Sequence, residues 1–231
     1  MKTIFTENTT VGEIVAMLPK ASDVFKKNKI DFCCGGDRSL KEAADKRGVA
    51  IEELMSQLQD LYAATDEKTE KNWLTATYSE LIDHIINKHH RYLLEELPNL
   101  SPYVTKVMRV HGGNHPHLIK VHKLFNELKT ELEQHLWKEE SKVFPLISQF
   151  EKQPTSENEQ KMKKMIADLT NEHDKTGDII KEIRRVTNDY TLPNGACRTY
   201  QLVYNRLEAL ESDLFEHIHL ENNVLFPRIL Q

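Results

Sequence analysis

Three cysteines, eight glycines and eight prolines are all that this 231-residue chain contains of those residues. Each scarcity excludes something. Two of the cysteines, Cys33 and Cys34, are neighbours. An odd count cannot pair internally and adjacent thiols close only a strained ring, so no disulfide framework is expected and a reducing compartment fits. So few glycines and prolines argue for long helices with few breaks. No apolar run approaches the roughly 18 residues of a membrane span. The opening MKTIFTENTT is polar and acidic where a secretory signal needs an apolar core. No membrane partner and a cytoplasmic location are therefore expected. A formal net charge of -5, with no basic block, gives no electrostatic footprint for nucleic acid.

What is present is a soluble, helix-forming composition, 39% hydrophobic and 29% charged, long enough for a main domain with a small companion. The expected fold class is all-α. Capping-box patterns at Thr10 to Glu13 and Ser39 to Glu42 start short helices in a first domain, residues 1–62. Residues 63–72 are polar with almost nothing to bury and read as a linker. The main domain, 73–231, carries four long amphipathic patterns. The first opens with a capping box, Thr77 to Glu80, and is expected to stop at Pro98, with a short helix following over 103–110. The second begins after HGGNHPH, the third after the loop around Pro154, and the fourth after TLPNG.

The strongest signal is a repeat. HLWKEESKVFP (His135 to Pro145) and HIHLENNVLFP (His217 to Pro227) both read His-x-x-x-Glu-x-x-x-(Val/Leu)-Phe-Pro. Residues four apart share a helix face, so His135 with Glu139 and His217 with Glu221 each present an imidazole and a carboxylate together. Both pairs continue apolar stripes. Burying the two glutamates without compensating charge costs several kcal/mol or forces protonation, and metal cations supply the compensation. Each pair also has a lone histidine on the preceding helix, His84 and His173. His89 and His90 lie one to two turns beyond His84 and could face the same core. His84 is preferred on phase, since Leu81, His84 or Ile85, and Lys88 track one stripe. Two helix hairpins of this kind make an up-down four-helix bundle with an inward-facing site.

Four imidazoles and two carboxylates suit a dinuclear centre in which each metal takes two histidines and both glutamates bridge. Carboxylate bridging with open positions favours two iron ions, joined by an oxo or hydroxo bridge and open to a small ligand. Glu131 and Glu172 are candidates to support the ligands or line a path to them. Glu140, about 100° round the helix from Glu139, is expected in solvent. His111, His115, His117 and His122 read as surface or capping residues, and Cys197 as structural. Phe144-Pro145 and Phe226-Pro227 are expected to pack under the site and end the regular helix.

These residues resemble hemerythrin-like di-iron bundles over 73–231. The segment DVFKKNKIDFCCGGDRSLKEA, with Cys33-Cys34-Gly35-Gly36, is similar to the short ScdA-type N-terminal domain. Together they resemble the RIC (repair of iron centres) family of ScdA, YtfE and DnrN types. The resemblance implies a cytoplasmic, stress-induced homodimer that helps restore iron-sulfur clusters damaged by oxidants or nitric oxide, and damaged iron-sulfur proteins as partners. The family pattern falls on His84, His135, Glu139, His173, His217 and Glu221, without the five-histidine set of oxygen carriers. Donation of a labile iron is the mechanism inferred, leaning away from an enzyme. Cys33 and Cys34 offer soft thiolates to receive iron or exchange electrons, exposed by the glycine turn. The competing readings are nitric oxide reduction, and sensing of NO or O2, at the same centre.

Overall fold

The computed structural model describes residues 5–65 and 72–230. Of the expected linker, residues 66–71 lie outside the described residues. Among the described residues every regular element is helical, apart from one isolated antiparallel bridge between Thr10 and Ser39. The chain divides into two compact units, residues 1–81 with 215–231, and residues 82–214.

The N-terminal part of the first unit holds α1 (Val11–Met17), α2 (Ala21–Lys27), α3 (Leu40–Arg47) and α4 (Ile51–Ala64). Both predicted capping boxes form: Thr10 and Ser39 accept from the N–H groups of Glu13 and Glu42, whose carboxylates accept in return. α3 ends at Gly48, whose φ of 66° is a left-handed cap that glycine adopts without strain. These helices bury Val11, Ile14, Phe25, Phe32, Leu40, Leu54 and Leu58 in one core, against which Phe215 packs.

The long helices follow. α5 (Tyr78–His84) starts from the Thr77–Glu80 box and runs without a break through a π-helical turn, π1 (Ile85–His90), into α6 (Arg91–His111). α7 (His117–Lys138) passes likewise through π2 (Glu139–Val143) into α8 (Phe144–Lys152). α9 (Ser156–Val186) stands alone, and α10 (Arg198–His219) passes through π3 (Leu220–Leu225) into α11 (Phe226–Leu230). Within residues 82–214, α6 packs on α7 and α7 on α9. α10 joins them through Arg206 to Glu96 of α6 (2.6 and 2.7 Å), Arg184 of α9 to Glu211, and His117 of α7 to the Tyr204 hydroxyl (2.9 Å). Short connections between antiparallel neighbours make this the expected four-helix bundle.

Two helix ends differ from the sequence expectation. α6 does not stop at Pro98 but contains both Pro98 and Pro102, so the separate helix over 103–110 is part of α6. Both prolines are exposed, while Leu93, Leu97, Leu100, Val104 and Val107 form an uninterrupted buried stripe. Water can satisfy the carbonyls that the prolines leave unbonded, and burial of the stripe outweighs their cost. Pro145 and Pro227 also do not end their helices. Each follows a π-helical turn that closes with a five-residue hydrogen bond, from Phe144 N–H to the Glu139 carbonyl and from Phe226 N–H to the Glu221 carbonyl. A proline there lacks the N–H an α-turn would need, and its ring pushes away the preceding carbonyls, so the helix widens by one residue and goes on.

Candidate metal centre

Six side chains converge in two overlapping groups. The ligand atoms of His90, Glu139, His217 and Glu221 lie within 4.8 Å of one another, and so do those of His135, Glu139, His173 and Glu221. Glu139 and Glu221 belong to both. All six are buried, with both glutamates fully excluded from solvent. His135 Nε2 is 3.3 Å from Glu139 Oε1, His90 Nε2 3.4 Å from Glu139 Oε2, and His217 Nε2 3.4 Å from Glu221 Oε2. His173 Nε2 and His135 Nε2 are 3.0 Å apart. Two nitrogens bound at about 2.1 Å and at right angles on one octahedral ion stand about 3.0 Å apart, so this spacing fits a shared metal.

The outward ring nitrogens fit the same arrangement. His135 Nδ1 is 2.9 Å from Glu172 Oε2, and His90 Nδ1 is 2.8 Å from Glu140 Oε1. A carboxylate on Nδ1 fixes the tautomer that turns Nε2 inward with its lone pair and makes it a better donor. The hydrogen bond from His135, helped by Lys138 at 2.7 Å, holds the Glu172 carboxyl down at about 2. Phe144 stacks on the His90 ring, centroids 5.6 Å apart and planes 24° from parallel. Each group, two buried carboxylates with two imidazoles, could hold a metal cation and would gain the charge compensation its burial demands.

The sequence-predicted residues therefore divide. His135, Glu139, His173, His217 and Glu221 are brought together. His84 is not: it is half-buried outside both groups, its ring 5.8 Å from that of His89, and His90 takes the place expected for it. Of the two residues in phase with Leu81, Ile85 is the buried one, and beyond it the α-helical phase fails because π1 begins there. Across its wide turn, residues five apart align, so Ile85 and His90 share the inward face. His89 turns to Asp213 at 2.9 Å. Glu131 is exposed and belongs to neither group, whereas Glu172 lies beside His135, its Oε2 2.9 Å from His135 Nδ1. Glu140, expected in solvent, has a side chain 40% exposed, but its carboxylate reaches His90. Only the Glu-Glu doublet after His135 could have pointed to it. Of the other histidines, His117 bonds Tyr200 and Tyr204, His122 bonds Thr105, and His111 Nε2 lies 3.2 Å from the exposed Cys197 thiol.

The Cys-Cys-Gly-Gly turn differs from expectation too. Cys33 is buried and Cys34 is half-buried. The glycines serve close approach: a Cβ on Gly36 would come within 2.1 Å of Asn223 Oδ1, and one on Gly12 within 2.6 Å. Asn223 Nδ2 donates to the carbonyls of Cys33 (2.9 Å) and Phe32 (3.2 Å). Beside it, burial pushes His219 down to about 4, so its ring stays neutral near the Phe32 carbonyl.

Comparison with known proteins agrees with this architecture. Residues 81–229 match the Hemerythrin HHE cation binding domain, and residues 7–62 match the ScdA_N domain, a domain of unknown function. The chain is similar to the iron-sulfur cluster repair protein ScdA of Staphylococcus haemolyticus, 37% identical over 97% of this chain and 99% of the relative. It is also similar to the iron-sulfur cluster repair protein YtfE of Citrobacter koseri, 39% identical over 95% of this chain and 96% of the relative. A probable iron-sulfur cluster repair protein of Haemophilus influenzae is 36% identical over the same shares. Among the described residues, no helix is long and apolar enough to cross a membrane. With both domains matched in order and near full-length similarity to these proteins, the chain belongs to the ScdA and YtfE family, a hemerythrin HHE domain behind an ScdA-type N-terminal domain.

Proposed function

We propose that this protein holds two iron ions in its bundle and gives up iron to rebuild iron-sulfur clusters damaged by oxidants or nitric oxide. The observation that carries this reading is the sharing of Glu139 and Glu221 by both ligand groups. Two carboxylates common to two imidazole pairs suit a pair of neighbouring ions. His90 with His217 would hold one iron, His135 with His173 the other, and the two glutamates would bridge them. The names of the relatives, iron-sulfur cluster repair proteins, support the same role. With about four protein donors for each six-coordinate ion, positions remain for ligand exchange, which a donor of iron requires and a closed structural site lacks. The partners on this reading are damaged iron-sulfur proteins.

The test is restoration. Iron-loaded protein, added to a cluster enzyme inactivated by nitric oxide, is expected to return its activity while its own iron content falls. No recovery at full iron loading overturns the proposal. The same open positions favour a second reading, nitric oxide reduction at the paired irons. Repeated turnover to nitrous oxide by the reduced protein would support it, and its absence would reject it.

A further inference from the structure

We propose that Asp31, Cys33 and Cys34 form a second, mononuclear site for a soft or borderline divalent cation, separate from the histidine–glutamate cluster. Their ligand atoms lie within 4.8 Å of one another. The two sulfurs are 3.7 Å apart, and Cys33 Sγ is 3.3 Å from Asp31 Oδ1. On a tetrahedral ion, metal–sulfur bonds of about 2.3 Å separate two sulfurs by about 3.8 Å, and a metal–oxygen bond of about 2.1 Å places oxygen about 3.6 Å from sulfur. The sulfur pair already has that spacing, and the Asp31 oxygen lies within a few tenths of an ångström of the oxygen–sulfur spacing relative to Cys33 Sγ.

The turn is built to hold these atoms. Asp31 Oδ1 accepts the N–H groups of Cys33 (3.2 Å), Cys34 (3.1 Å) and Gly35 (3.2 Å), which orients the carboxylate over the thiols. From the other side Asn223 bonds the Phe32 and Cys33 carbonyls, and the missing side chain of Gly36 admits it. Backbone and carboxylate are therefore positioned before any ion arrives. Cys33 is buried and Cys34 half-buried, so one sulfur lies inside and the other opens toward solvent, a route for a hydrated cation.

Two thiolates and one carboxylate select Zn2+, Fe2+, Co2+ or Cd2+ over Mg2+ and Ca2+. On binding, each thiol releases its proton to solvent as its metal–sulfur bond forms, the Cys33 proton leaving its hydrogen bond to Asp31. The fourth position stays open to water. This site does not depend on the repair reading, because a cation can bind here whether or not the bundle gives up iron.

The experiment is an anaerobic titration of the full-length, iron-loaded protein with Co2+. A thiolate-to-cobalt charge-transfer band is expected in the near ultraviolet, saturating at one equivalent, with the iron content unchanged. The band should vanish in Cys33→Ser/Cys34→Ser and persist in Cys197→Ser. Asp31→Asn keeps an oxygen for the three amides but loses the charge, and should bind Co2+ at least about tenfold more weakly. Helical circular dichroism and iron content matching the parent's show that a variant is folded. No band in folded parent protein, a band surviving the double cysteine variant, or unchanged affinity in Asp31→Asn would each overturn the site as proposed.

Discussion

The histidine–glutamate cluster draws on residues from His90 to Glu221, whereas Asp31, Cys33 and Cys34 sit within four consecutive positions. The first exists only once helices have packed, and packing then fixes its geometry, excludes water and supplies outer partners such as Glu140 and Glu172. The second needs only a turn. It closes almost no loop, and a carboxylate cap, one asparagine and backbone bonds from Gly12 and Arg38 help to hold it. Donor chemistry divides the same way, imidazole and carboxylate against thiolate. A cluster assembled over long sequence distances should hold its ions tightly and lose them cooperatively with the fold, while a local thiolate turn should take and release a cation easily.

That contrast can be broken in several places. The largest effect should come from Glu139→Ala or Glu221→Ala, because each glutamate serves both ligand groups; iron analysis is expected to find less than about a tenth of the parent's metal. A variant retaining full iron would mean that the carboxylates are not shared ligands. Next, His90→Ala should fall to about half the parent's iron, while His84→Ala keeps it. The reverse result would restore the α-helical phase argument. Smaller still, Glu140→Gln and Glu172→Gln leave every ligand in place and should weaken iron affinity by about 10- to 100-fold, read by competition with a chelator. Gly36→Ala should leave iron binding in the bundle intact and lower stability by about 1–3 kcal/mol in thermal unfolding, since its Cβ would collide with Asn223.

Much of this architecture is legible in the sequence, and the exceptions have physical causes. The repeated His-x-x-x-Glu lies on regular helix up to Glu139 in one copy and up to His219 in the other, so fourfold spacing still brings His135 to Glu139 and His217 to Glu221. His173 lies in the unbroken helix α9, where α-helical phase holds. His90 is missed in favour of His84 because no sequence rule announces a π-turn over Ile85–His90. Pro98 misleads because helix-breaking rules weigh the missing hydrogen bond and not the buried stripe beneath it. Glu140 escapes notice because a side chain can leave the buried face at its Cα and return through its carboxylate. The turn that carries Cys33 is bonded at its backbone carbonyl by Asn223, which lies 190 residues away in sequence.

The π-helical turns make the cluster depend on residue count as much as on residue identity. Deleting Ser141, an exposed residue of π2, would remove no metal-facing side chain. It would, however, rewind Glu139–Val143 as ordinary helix and rotate everything beyond by about 100°. Phe144 would then swing off the His90 ring it now covers. A chain can thus carry every metal-facing residue by name and still lose the cavity that holds them, because the gauge of the helix, one residue wider at each of these turns, sets where each side chain arrives.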